Sequence, residues 1–490
     1  RPGAPGVGRR AGASVSFRGF VTVFVEWGIL AYFMALHLTH LSLILRAFFS
    51  IRRYLEEVET DRLDTAFETS HYKPMTLICP AYNEEAGVVA SVNSLISLRY
   101  PEFQVVVVND GSRDTTLESL IEAFRLKPSH RVLRQLLPTK EVRGIYESAY
   151  VPNLVVVDKA NGGKADALNC GINLARYPLV CCMAGDSLLE NDSLLRIARP
   201  FMDQPHLVAS GGVIRPLNGC RVTAMGIRGI HLPDSWLARF QIVEYLRAFL
   251  FGRVGLASLD TMFIVSGAFG VFRKELIVQA GGFEIATIGE DFELVVRMHR
   301  CLREWKRPYH ITLVPDPVCW TEVPEDAKVL GRQRNRWQRG LLETLWKHRR
   351  MWFNPKYGRV GLFSMPYFIF FEALAPVIEV LGYLVFAWSL WTHAINGAFA
   401  VLFLYVALLL GVLNSVVSVV LQEISGHRYQ GLRAWSLLLF TAVAENFGYR
   451  QMTVWWRLKG TIDWFRGKEG WGQMKRKGIA PQPPAGPPPA

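Results

Sequence analysis

The 490 residues include only seven cysteines, and these form no CxxC pair and no histidine pairing at metal-ligand spacing. That excludes a zinc ribbon and argues against a disulfide framework. Cys79, Cys170, Cys181, Cys182, Cys220, Cys301 and Cys319 read as small buried side chains of a reducing compartment. No small-residue cleavage site follows the first apolar run, residues 19–45, which is also too long for a signal core. A cleaved leader is therefore excluded in favour of a spanning helix. The formal charge is +13, but the basic residues Arg450, Arg457, Lys459, Arg466, Lys468, Lys475, Arg476 and Lys477 interleave with Trp455, Trp456, Trp464 and Trp471. Basic residues among interfacial aromatics indicate a membrane surface on its cytoplasmic side, and no nucleic-acid partner.

Hydrophobic residues make up 50% of the chain and concentrate at 19–45 and 362–421, each long enough to cross a bilayer core. The chain divides accordingly. Residues 1–18, rich in Gly, Ala, Pro and Arg, are expected to be a disordered tail, and 19–48 a transmembrane helix. A cytosolic domain is expected at 70–350, with 220–258 either an interfacial helix beneath it or an ordinary core helix. Residues 362–450 hold C-terminal membrane or interfacial helices, two of them crossing, and 451–480 a basic surface segment. Residues 481–490, PQPPAGPPPA, form a Pro-rich tail. Glu372 and Glu379, seven apart in the first C-terminal apolar segment, share a helical face. They predict either a helix–helix contact or the lining of a polymer route.

Between 75 and 184, MTLIC (75–79), VVVV (105–108), LVVV (154–157) and LVCCM (179–183) each end at a polar or small-residue turn. Continuous apolar runs of this length predict strands buried on both faces, hence a mostly parallel, Rossmann-like α/β sheet. Ligands of such sheets bind beyond the carboxyl ends of the strands, where Asn83, Asp110 and Asp186 fall.

Short signatures follow in order: PAYNEE (80–85), Asp110 in VVVVND, KANGGK (159–164), Asp186 in CCMAGDS, VSGAFGVF (265–272), Glu290-Asp291 in IGED, and Gln333, Arg336 and Trp337 in QRNRW. Lys159 and Lys164 at a helix entry, with Gly-Gly before the second, predict an anion site. Gln333, Arg336 and Trp337, at i, i+3 and i+4, share one helical face. Taken together the chain resembles the processive, inverting family 2 glycosyltransferases, the synthases of cellulose, hyaluronan, chitin-type oligomers and poly-N-acetylglucosamine. The resemblance by motif covers about residues 80–340.

That resemblance implies a GT-A catalytic domain joined to an α-helical transmembrane region. It implies a UDP-sugar donor, held by Ala81, Tyr82, Asn83, Glu84, Asp110, Lys164, Asp186, Gln333 and Arg336, with Asp110 on the base and Lys164 on the diphosphate. It implies Asp291 as general base, and Ser266, Gly267, Glu290 and Trp337 around a polysaccharide acceptor. Asp186 is the implied ligand of Mg2+ or Mn2+, although Ala184 stands where the motif's first Asp belongs, which weakens the site. The implied activity is processive transfer of a hexose or N-acetylhexosamine, forming a β-linkage and coupled to export across the inner or plasma membrane. The alternatives are a single-addition enzyme with a lipid-linked acceptor, or a membrane scaffold that binds nucleotide sugar. Homo-oligomers or accessory export subunits are the implied partners beside the lipid bilayer.

Overall fold

The computed structural model describes residues 17–60, 72–185, 187–223, 226–392, 397–424, 429 and 431–468. Most of the expected N-terminal tail, the end of the basic segment and the Pro-rich tail lie outside them. Four strands form where the apolar runs predict: β1 (Met75–Ala81), β2 (Phe103–Asn109), β5 (Leu154–Lys159) and β6 (Leu179–Met183). They lie side by side as β5-β2-β1-β6, all parallel, with nearly every residue buried. Two β-branched faces buried at once explain why these runs do not alternate.

Around this quartet the sheet extends to ten strands, adding β3 (Leu126–Pro128), β4 (Val142–Ser148), β7 (Ser187–Leu189), β8 (Leu207–Pro216), β11 (Phe269–Arg273) and β12 (His310–Thr321). A separate hairpin is made by β9 (Arg221–Thr223) and β10 (Gly226–Gly229). The expectation of a mostly parallel sheet is corrected: β8 and β12 are parallel, but β3–β4, β4–β5, β6–β11, β8–β11 and β7–β12 are antiparallel. The physical reason is that β8 is interrupted by Gly211-Gly212 and β12 by Pro315 and Pro317, so neither presents a continuous apolar run. Antiparallel neighbours also need no crossover helix to announce them.

Among the helices of the described residues, these organise the site and its surroundings: α1 (Phe17–Thr60), α2 (Lys164–Leu174), α3 (Trp236–Leu246), α4 (Glu290–Glu304), α5 (Ala327–Lys347), α6 (Ala375–Trp391), α7 (Leu410–Ile424), α8 (Leu432–Ala444) and α9 (Tyr449–Phe465). At 1.5 Å per residue α1 is about 66 Å long, twice the thickness of a hydrocarbon core. Within it, Phe24–Val58 contains a window long and apolar enough to cross a bilayer, and Leu43, Ala47 and Ile51 are buried against the domain. One helix therefore runs from a membrane-length segment into the side of the sheet domain. By length and composition α1 is the one described helix that can cross a bilayer, or one of two if the bent pair Val360–Ala373 and Ala375–Trp391 counts as a span. Leu410–Glu423 and Leu432–Ala444 are apolar but shorter.

Helix α3 continues through a π-helical turn, Arg247–Arg253, and the segment packs against α1, α7, α8 and the sheet. Gln241, Ile242, Val243, Leu246, Leu250 and Val254 are buried. Residues 236–257 thus form a wedge between the sheet and the apolar helices.

Candidate active site

The loops at the carboxyl ends of β1, β2, β5 and β6 converge. Asn83, in the left-handed region at φ 54°, accepts from Arg113 N at 2.8 Å, and its own N–H donates to Ser112 Oγ at 3.0 Å. Asx side chains bond locally in this way and tolerate that backbone. Glu84 N donates to Thr116 Oγ1 at 2.9 Å, so the PAYNEE loop is tied to the NDGSRD loop along its length. Gly111 and Gly185 seal the junction: a methyl on the first would lie 2.7 Å from Asn161 N, and on the second 2.5 Å from Pro80 O. Tyr82 and Asn83 remain exposed at the rim.

Asp110 is buried and fully engaged. Its Oδ1 accepts from Lys159 Nζ at 2.6 Å and Gly162 N at 3.0 Å, its Oδ2 from Gly163 N at 2.7 Å and Asn161 Nδ2 at 3.2 Å. Four donors fill the roughly four acceptor sites of a carboxylate. Lys159 Nζ also meets Asp166 at 2.6 Å and is wholly buried. The anion site expected of Lys159 and Lys164 is therefore corrected for Lys159, which two carboxylates consume inside the protein. The neighbouring Asn109, at the end of β2, donates to Asp158 Oδ1 at 2.7 Å while its Oδ1 is buried with no partner among the described residues. A buried acceptor left unpaired costs free energy. Sequence reasoning missed it because Asn109 reads as the last strand residue.

Lys164 opens α2 and stays half-buried. Its Nζ lies 3.0 Å from Glu290 Oε1 and donates to Gly267 O at 3.0 Å. Gly267 N in turn donates to Asp291 Oδ2 at 2.8 Å. The two peptide groups of one residue thus carry the expected diphosphate cation on one side and the expected base on the other. A methyl on Gly267 would stand 2.8 Å from Lys164 Nζ and 3.1 Å from Asp291 Oδ2, which is why this position has no side chain. Ser266 Oγ accepts from Ala268 N at 3.3 Å and so shapes the same turn. Glu290 and Asp291 sit in the first turn of α4, where the helix dipole stabilises carboxylates. Arg253, from the π-helical turn, stacks on Phe249 at 3.9 Å; burial brings its guanidinium down to about 10, so it stays cationic near Asp291.

Helix α5 carries QRNRW and approaches the Glu290-Asp291 loop through Gly340. A methyl there would come within 3.1 Å of Gly289 N and 3.2 Å of Gly289 Cα. Gln333 and Arg336 are half-buried, and Trp337 is 45% exposed. Arg334 lies behind it, its guanidinium 4.2 Å from the ring centroid and 2.7 Å from Glu244 Oε2. Such stacking rigidifies a ring without covering its other face. The far end of α5 is locked to α4: Glu293 meets His348 Nε2 at 3.1 Å and Arg297 Nη2 at 2.9 Å. Burial acts to raise the Glu293 carboxyl, but the His348 hydrogen bond and the charges of Arg297 and Lys347 outweigh it and hold it at about 2.

Helix α9 packs along α5. Asn335 donates to Asp463 Oδ2 at 2.8 Å, and Gly331 makes room for Trp456. Its Arg450 forks onto Glu379 at 2.9 and 3.3 Å, and Arg457 meets Glu372 at 3.3 Å. The pair of carboxylates seven apart is thus matched by two arginines seven apart, as a helix–helix contact demands. Two of the eight basic residues expected at a lipid surface are spent inside the protein. On the outward face Met452, Trp455, Lys459, Ile462 and Arg466 remain exposed.

The structure therefore gathers Ala81, Tyr82, Asn83, Glu84 and Asp110 at the carboxyl ends of β1 and β2, and joins Lys164, Gly267, Glu290 and Asp291 by direct contacts, with Ser266 beside them. Asp186 lies outside the described residues. Among the described ones no group of three or more His, Cys, Asp or Glu side chains gathers to hold a metal. Ala184, beside β1, offers no ligand atom.

Comparison with known proteins follows the same lines. The profile of Glycosyl transferase family 2 matches residues 76–135, and that of Glycosyl transferase family group 2 matches 179–445. Poly-beta-1,6-N-acetyl-D-glucosamine synthase of Staphylococcus epidermidis is 27% identical over 314 residues, 64% of each chain. The enzyme of the same name from Staphylococcus aureus strain COL is 27% identical over 274 residues, 55% of each. The chain thus spans less than two thirds of these relatives. Among solved structures, a mannosyltransferase from Pyrobaculum calidifontis in complex with GDP-Man and Mn2+ superposes with a TM-score of 0.49 at 18% identity, covering 90% of this chain and 100% of that one. With one profile covering more than half of its residues and the other its first βαβ unit, the chain belongs to glycosyl transferase family group 2.

Proposed function

We propose that the protein transfers a hexose or N-acetylhexosamine from a UDP-sugar to the end of a growing polysaccharide, by an inverting, processive mechanism. The observation that carries this is the Lys164–Gly267–Asp291 chain of contacts, which sets a cation for the leaving diphosphate and a carboxylate for the acceptor hydroxyl on opposite sides of one residue. In that geometry Asp291 takes the proton of the hydroxyl as its oxygen attacks the anomeric carbon from the face opposite the diphosphate. Lys164, on releasing Glu290, and Arg336 balance the charge of departing UDP. Trp337 gives the CH-rich face of the acceptor sugar a platform, and a platform that holds the new end is what repeated addition requires.

Asp110 holds the Gly162-Gly163 loop in place for the diphosphate, beside the exposed Tyr82 and Asn83 that would meet the nucleotide base. A divalent cation, Mg2+ or Mn2+, would be held by Asp186 together with the donor phosphates and would neutralise the leaving group. With Ala184 in place of a second carboxylate, the cation binds mainly with nucleotide.

The apolar stretch of α1, the bent pair and the shorter apolar helices Leu410–Glu423 and Leu432–Ala444 support a location in the cell membrane, with the catalytic domain on its cytosolic side where nucleotide sugars are found. The outward face of α9 rests on the headgroups. Release of UDP, measured against a panel of nucleotide sugars with and without Mn2+, tests the reading. The relatives' name makes UDP-N-acetylglucosamine the first donor to try. Consumption of one UDP-sugar in proportion to glycan formed is expected; a lack of turnover with every donor contradicts it.

A further inference from the structure

The bent helix pair breaks at Leu374, where the axis turns by 46°. Pro376 lacks an N–H, so the carbonyl of Glu372 loses its helical donor. Val377 N and Ile378 N both bond Leu374 O, which leaves the carbonyl of Ala373 free as well. Broken helices persist at membrane depth only where other groups satisfy the freed carbonyls. Here the donors come from neighbouring helices. Arg457 Nη2 takes Glu372 O at 2.6 Å, and Gln338 Nε2 takes Ala373 O at 2.9 Å. Tyr32 of α1 takes Phe370 O at 2.9 Å.

Gln338 is the residue after Trp337. It is 1% exposed and saturated, accepting from Arg457 Nε at 2.9 Å and donating also to Thr461 Oγ1 at 3.2 Å. The residue beside the acceptor platform is thus the one that grips the break in the apolar helix. None of these hydrogen-bond partners of Gln338 is a residue proposed to hold the donor.

We propose that Gln338 is a positioning residue for chain elongation: it registers Trp337 against the broken helix, so that the sugar added in one cycle is presented correctly for the next. This rests on the polymerase reading above. Loss of Gln338 should leave the first transfer near normal and impair repetition.

The test uses the full chain in detergent or proteoliposomes with UDP-N-acetylglucosamine, reading UDP release and product length together. Gln338→Leu removes all three bonds; Gln338→Glu keeps the partner of Arg457 but cannot donate to Ala373 O at neutral pH. Both should release UDP within about threefold of wild type, with KM for the donor unchanged, and make products severalfold shorter. If the leucine variant fails to fold, the glutamate variant carries the test, because its ion pair with Arg457 preserves the helix contact. Wild-type product length in a folded variant overturns the proposal, as does a fall in UDP release equal to the fall in length, which is what a merely structural role gives. Wild-type protein that adds one sugar only overturns the polymerase reading, and this proposal with it.

Discussion

At the scale of single residues, Asp110 and Asp291 are both acidic and both tied to backbone N–H groups, yet the structure gives them different work. Asp291 is part-buried and accepts from Gly267 N and Phe292 N; as the proposed base, its replacement Asp291→Asn should cut transfer by on the order of 10²–10⁴-fold while leaving UDP affinity unchanged. Isothermal titration with UDP and a turnover assay on the same preparation check both halves. Asp110 is spent on Lys159, Asn161, Gly162 and Gly163. Asp110→Ala leaves a buried lysine with one carboxylate partner instead of two, and should lower stability by about 3 kcal/mol. Thermal unfolding checks it, and an unchanged midpoint with only nucleotide affinity lost would restore Asp110 to the base. Its placement at a strand's carboxyl end was legible in the sequence, because an apolar run followed by Asp-Gly-Ser defines that corner. Its partners were not, since they come from a loop fifty residues later.

At the scale of elements, the four parallel strands were legible because double burial writes itself as unbroken apolar runs. The antiparallel additions were hidden by Gly-Gly in β8 and two prolines in β12. The QRNRW face was legible by its spacing, but the opposite face of α5, with Arg334 and Gln338, takes its meaning from α3, α9 and the broken helix. Two predictions belong here. Gly340→Ala forces a methyl against the backbone of Gly289 and displaces the loop that carries Asp291; turnover should fall about tenfold to a hundredfold with UDP affinity retained. Equal turnover would show that the close approach is incidental. Glu293→Gln tests the lock between α4 and α5. Because the folded Glu293 carboxyl sits at about 2, below its ordinary 4.5, its contribution is fully present above about pH 5 and is lost as pH falls toward 2. The gap in unfolding midpoint between wild type and variant, corresponding to about 3 kcal/mol at neutral pH, should hold steady from pH 8 to 5 and close below 4. A gap independent of pH would contradict the assignment.

At the scale of the whole molecule, α1 and the wedge of residues 236–257 join the sheet to the apolar helices, and α9 returns from those helices to clasp α5. The carboxylates Glu372 and Glu379 announced that clasp in the sequence, but only the matching arginines of α9 decide for a contact over a polymer lining. Since α9 lies against a domain proposed to be cytosolic, a reporter fused after Gly478 should be cytosolic; an external reading would contradict that proposal and the two crossings expected within residues 362–450. The central claim is that one crevice joins sugars repeatedly with inversion. The most direct measurement incubates the purified full chain with labelled UDP-N-acetylglucosamine and a divalent cation, then determines the length and anomeric configuration of the glycan by gel and NMR. The account predicts long β-linked chains, one UDP released per sugar, and none of either from Asp291→Asn. Products of a single addition, α-linkages, or unchanged synthesis by Asp291→Asn would contradict it.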